Sequence, residues 1–182
     1  MTPWIAKPVP FNIGQGAGAA AVVPEETCPV TTTDNNARIS NPVPCLGVSV
    51  SAGSSMIGKN VTDFSFWLYR TATLSGTLSA FAYEASSDVP DTPIAGVNFG
   101  TLVANTIGLN AVSKHTFPIN TGSVTVTEDT QFGLDFASAG SHSGDVWFNT
   151  LLAGNEYGKM YTADYSAYYE THTQVPKFCY TA

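Results

Sequence analysis

The feature that most constrains this chain is a series of short apolar runs with a period of two, each closed by turn-forming residues. Along 61–70 (VTDFSFWLYR), Phe64, Phe66 and Leu68 fall on one side of an extended strand, and Asp63, Ser65, Trp67 and Tyr69 on the other. Along 76–85, after the turn signal Leu74-Ser75-Gly76, Leu78, Ala80 and Ala82 oppose Phe81 and Tyr83. Along 131–137, Phe132, Leu134 and Phe136 oppose Asp135. The runs at 46–52, 94–100, 114–119, 123–127, 145–152 and 175–182 read as further strands, and 86–93 (SSDVPDTP) as a turn-rich loop. Roughly eight to ten strands, spaced about 8–15 residues apart, are the pattern of a sandwich or barrel. No long segment has apolar residues at helical spacing. The expected class is all-β, a jelly-roll-type antiparallel β-sandwich, because the strand number suits two packed four-stranded sheets. An immunoglobulin-like sandwich is the alternative, although its Cys…Trp…Cys framework is missing.

Residues 1–45 differ in character from the rest of the chain. They hold Pro3, Pro8, Pro10, Pro24, Pro29, Pro42 and Pro44, and also Gly14, Gly16 and Gly18. Proline removes backbone donors and interrupts ladders, so an extended N-terminal arm over 1–45 is expected ahead of a sandwich domain over 46–182. Trp4, Ile5, Val9, Phe11 and Ile13 would be costly to leave in water. The arm is therefore expected to lie across its own domain or an adjacent copy. Trp67, Tyr69, Phe81 and Tyr83, opposite the core residues of their strands, make those sheets apolar on both faces. A sheet with one solvated face carries polar groups there, so a covering arm or subunit is expected, against a bland reading of local packing under loops.

Charged residues are 12% of the chain, about half the usual share, which leaves few like charges to hold copies apart. The seven cations, Lys7, Arg38, Lys59, Arg70, Lys114, Lys159 and Lys177, are scattered through a chain of formal charge −7. No basic stripe is available for phosphates or an anionic bilayer, so neither a nucleic-acid nor a membrane partner is expected. No apolar run is long enough for a membrane helix, and Met1-Thr2-Pro3-Trp4 does not open a signal peptide. The chain is expected to be used without secretion, or to begin after processing.

Groups that could carry chemistry are sparse. Cys28, Cys45 and Cys179 are an odd set. In an oxidising setting Cys28 and Cys45 are the expected disulfide pair, against three ordinary thiols. Spacings for a zinc site are absent. His115 sits at a strand start; His142 lies near Ser141, Ser143 and Asp145, but four residues of one loop rarely supply a triad with its oxyanion site. Asp63 and Asp135 project opposite apolar neighbours and are weighed as partners of Arg70 or Lys114. No catalytic, cofactor-binding or metal-binding residue is assigned. Structural calcium in 86–93 or 127–130 is weighed against plain polar loops, and Asn60-Val61-Thr62 against a chance acceptor triplet. Tyr157, Tyr161, Tyr165, Tyr168 and Tyr169 crowd one stretch and are weighed as a subunit interface, loop packing or a glycan contact. The residues singled out for assembly are Trp4, Ile5, Val9, Phe11, Ile13, Trp67, Tyr69, Tyr165, Tyr168 and Tyr169.

The runs NVTDFSFWLYRTATLSGTLSAFAYEAS, PIAGVNFGTLV, FPI, TEDTQFGLDF and PKFCY, in that order, resemble β-sandwich domains of phage and virus surface proteins and of secreted prokaryotic surface proteins. The resemblance covers residues 60–182 and implies a fold and a setting without carrying functional residues across. The expectation is a non-enzymatic structural subunit of a virion, a capsid decoration or a tail or fibre protein, partnered by copies of itself or other proteins of the particle. The alternatives are a subunit of a secreted filament or cell-surface layer built by strand exchange, and a carbohydrate-binding module.

Overall fold

The structure, a computed structural model, describes residues 26–28, 35–39, 45–86, 89–128, 130–136, 144–152, 157–163, 168–171 and 174–182. They form an all-β sandwich in which every strand pairing is antiparallel. The first sheet contains β1 (Glu26–Thr27), β2 (Asn35–Ile39), β5 (Asp63–Arg70), β9 (Ser113–Pro118), β12 (Val146–Leu152), β15 (Gln174–Pro176) and β16 (Phe178–Thr181). Its order is β1-β16-β5-β12-β15, with β9 along the other side of β5 and β2 along β12. The second sheet runs β14 (Tyr168–Thr171), β13 (Tyr157–Ala163), β3 (Cys45–Val50), β11 (Gln131–Phe136), β6 (Thr77–Ser86), β7 (Val89–Pro93), with β8 (Thr101–Val103) also on β6. A small ribbon pairs β4 (Asn60–Val61) with β10 (Val124–Thr125).

The core lies between the two sheets and follows the alternation. Phe64, Phe66 and Leu68 of β5 meet Phe132, Leu134 and Phe136 of β11 and Leu78, Ala80 and Ala82 of β6 in one buried cluster. Phe64 is its hub, with ring centroids of Phe99, Phe132, Phe117, Phe66 and Phe178 at 4.8–5.9 Å. Tilted and edge-on contacts of this kind suit the ring quadrupoles and add to the gain from burial. Loops contribute Met56, Leu74, Ile107 and Val126, and a single 3-10 turn Ala104, to the same cluster.

The structure corrects several expectations. Residues 26–27 and 35–39, inside the stretch read as arm, pair into the first sheet. Residues 94–100, read as a strand, form a turn and a single bridge from Asn98 to Thr121, with Gly96 and Gly100 at φ +77° and +84°. The loop reading of 86–93 gives way to β7, and its prolines are tolerated because β7 is an edge strand. Much of the tyrosine-rich stretch is the hairpin β13–β14, not a loop.

Cys28 is bonded to Cys179, across 151 positions, and not to Cys45. The cause is sheet topology. Thr27 pairs with Tyr180, so the next residue of the chain arrives beside Cys179 of β16, whereas Cys45 lies buried in the second sheet.

Candidate interaction surface

The side chains of β5 that turn from the core project from the outer face of the first sheet, where neighbouring strands deliver cations to aromatic rings. Register sets one row: Arg38 of β2 opposite Trp147 of β12, and Trp147 opposite Tyr69 of β5. The Trp147 and Tyr69 rings stack with centroids 6.0 Å apart, and the Arg38 guanidinium lies 5.4 Å from the Trp147 centroid. Arg38 also donates to Asp145 Oδ2 at 2.9 Å.

A second row lies two residues along. β12 pairs with β5 as far as Phe148 and Leu68 and then with β15, while β16 takes over beside β5 from Phe66. Lys177 stands at this changeover, its N–H bonded to Asn149 O at 2.7 Å. Its Nζ lies 4.4 Å from the centroid of Trp67, and Lys114, opposite Trp67 on β9, places Nζ at 5.5 Å. Lys114 also pairs with Glu26 of β1. Three of the seven cations thus meet on one sheet face, each over an indole. Along the sequence the same three look scattered. The available signal was that Lys114 and Trp147 occupy outward positions of β9 and β12, which flank β5, with Arg38 on β2 beside β12.

Cation–π contacts at half-exposed sites contribute about 0.5–1 kcal/mol each. The two salt bridges of this face contribute little, being exposed to solvent. The faces of both indoles are occupied by the protein's own cations, so the surface presents ring edges, lysine stems and charged tips. Trp147 Nε1 is buried without a hydrogen-bond partner, so stacking rather than its N–H holds that ring.

In the row beyond, Ser65 and Thr116 hydroxyls are 2.9 Å apart, and Cys179 lies opposite Ser65. The disulfide therefore fastens β1 to β16.

The outer face of the second sheet is of another kind. Gly47 and Gly133 are opposite one another, flanked by Cys45, Ser49, Gln131, Asp135, Phe81 and Tyr83. Ser49, Gln131, Cys45 and Tyr83 are buried, although they point away from the core, and Cys45, Tyr83 and Phe81 form a cluster separate from it. Asp135 Oδ1 has no hydrogen-bond partner, and burial pushes this carboxyl up to about 6.

The carboxylates weighed as partners of Arg70 and Lys114 go elsewhere. Asp63 Oδ1 accepts from Thr181 Oγ1 at 2.9 Å, and Arg70 donates to the carbonyls of Ile107 and Ala72. His115 Nε2 and Ser113 Oγ are 2.9 Å apart, and burial lowers the imidazole below its usual value. Asn60 is exposed, and its Oδ1 accepts from Thr125 Oγ1. Of the residues singled out for assembly, Trp67 and Tyr69 lie half-buried on the first sheet's outer face. Tyr168 and Tyr169 lie on β14, with backbone opposite Ala163 and Thr162. Trp4, Ile5, Val9, Phe11, Ile13 and Tyr165 lie outside the described residues. Asp88, Asp129 and His142 do as well, so the calcium loops are only partly described. Among the described residues, Glu26, Cys28 and Cys179 form the one group of potential metal ligands within mutual reach, and two of them are spent in the disulfide. No helix of the described residues is long and apolar enough to cross a membrane.

Comparison with family models, with curated proteins and with solved structures finds no match to this chain.

Proposed function

We propose that this chain is a non-enzymatic structural subunit of a virion-type particle, a decoration, tail or fibre protein, joined to its neighbours through the N-terminal arm and the outer sheet faces. The observation that carries the reading is the outer face of the first sheet. Trp, Tyr and Arg are the residue types that dominate the energetics of protein interfaces, and here Arg38, Trp147 and Tyr69 stand in one cross-strand row beside Trp67. A two-sheet core supplies the rigid block that a repeated subunit needs, and jelly-roll connectivity is the form we assign to it. A partner burying on the order of 1,000 Å² would have enough surface for a specific contact.

The Cys28–Cys179 bond favours a second reading, a subunit of a secreted filament or cell-surface layer, because disulfides persist in oxidising settings. Particle surfaces share that property, so both readings keep the same mechanics and differ in the assembly served. The test is the mass of the purified full chain in solution. Species much larger than 19.2 kDa support a subunit, and a monomer at every concentration contradicts it.

A further inference from the structure

The first sheet ends at β9, and among the described residues no strand pairs with its far side. The direction of its backbone groups follows from the register. Ile119 N–H donates to Thr62 O, so Ser113, His115 and Phe117 turn their backbone groups to β5. Lys114, Thr116 and Pro118 turn theirs to the open side, and all three are exposed. Beside this edge, between β9 and β8, is an open cavity of about 270 Å³ lined by Phe99, Leu102, His115, Phe117 and Asn120 together with Gly100 and Thr101. A void of about 150 Å³ already admits benzene, so the space takes an aromatic side chain.

Residues 8–13, Pro-Val-Pro-Phe-Asn-Ile, have the pattern of a strand for such an edge. When they are extended, Val9, Phe11 and Ile13 share one face, and their N–H groups point to one side. On the other side Pro8 and Pro10 offer no N–H. We propose that residues 8–13 of a second copy add to β9 as a parallel strand, with Phe11 entering the cavity beside Phe117. This rests on the subunit reading above and names the surface it uses.

Parallel pairing is required by the cavity. In an antiparallel addition, Val9, Phe11 and Ile13 would sit opposite Lys114, Thr116 and Pro118 and face outward. In a parallel one, Pro8, Pro10 and Asn12 lie opposite those residues, and the apolar face turns inward. The carbonyls of Lys114, Thr116 and Pro118 then accept from the N–H groups of Val9, Phe11 and Ile13. The prolines close the new edge, which prevents further strand addition there. The donor we assign is a second molecule, because the subunit reading joins neighbouring copies through this arm. The twelve residues between Ile13 and Glu26, if fully extended, would reach about 40 Å, enough to bridge adjacent domains.

The test is complementation between two full-length variants. Phe11→Asp disables the donor. Thr116→Pro disables the acceptor; it removes the hydroxyl contact with Ser65 but no backbone bond to β5, since the Thr116 N–H faces away from that strand. Leu102→Trp, which fills the cavity, is a second acceptor variant should the proline disturb folding, and thermal unfolding identifies any variant that fails to fold. Each variant alone is expected to self-associate about tenfold or more weakly than the parent, as the loss of one or two net hydrogen bonds implies. A mixture of Phe11→Asp with Thr116→Pro restores one-to-one pairs. Folded acceptor variants that associate like the parent would overturn the edge assignment and leave the subunit reading standing. A parent that never associates would instead overturn the subunit reading itself.

Discussion

Phe64 shows how one residue can carry a core. Its ring touches five other phenylalanine rings, two of them, Phe99 and Phe132, outside its own sheet. Phe64→Ala should cost about 3–5 kcal/mol, read as a lower urea midpoint. Asp135 works in the opposite direction. Its carboxyl is raised from 3.8 to about 6 by burial, so between those values the native state holds a proton that the unfolded chain has released. Stability therefore falls as pH rises through this window, and the penalty is complete above it. Asp135→Asn should raise stability at pH 7 by on the order of 1–2 kcal/mol, discounted for partial solvent access. It should also flatten the decline between pH 4 and 6 in a series of urea titrations. His115 carries the opposite sign. Its lowered value leaves the unfolded chain binding more protons, so its share of stability is lost as pH falls below the ordinary histidine range.

At the scale of elements, the legible parts were those whose alternation is unbroken. β5, β6 and β11 keep a strict period of two over the residues that meet in the core, so sequence alone assigns their faces. The hairpin β13–β14 escaped because a register shift between Tyr157 and Lys159 breaks the alternation just where glycine and tyrosine already suggest a loop. Residues 94–100 misled because their apolar content is strand-like, while Gly96 and Gly100 take backbone angles that end a strand. The aromatic and cationic rows depend on which strands lie side by side, which local pattern does not encode. The disulfide was hidden for the same reason, since β1 and β16 become neighbours only when the sheet forms. β1 pairs through only two residues and is exposed, so the covalent link is its main anchor. Cys28→Ser, or reduction, should lower stability by about 2–5 kcal/mol and open the chain near residue 26 to limited proteolysis. Cys45→Ala should leave the response to reductant unchanged.

For the whole molecule, the two sheets form a stiff platform with one distinctive outer face and, among the described residues, an open edge at β9. The proposed assembly uses both, and the two can be separated. Trp147→Ala removes the centre of the Arg38–Trp147–Tyr69 row while leaving β9 intact. If that row is an interface, self-association should weaken at least tenfold, a change of about 1.4 kcal/mol or more, in a variant that still unfolds cooperatively despite losing the Arg38 and Tyr69 ring contacts. The most direct measurement is sedimentation velocity of the full chain over a wide concentration range. The account predicts discrete species above the 19.2 kDa protomer that grow with concentration, and a single 19.2 kDa species throughout would contradict it.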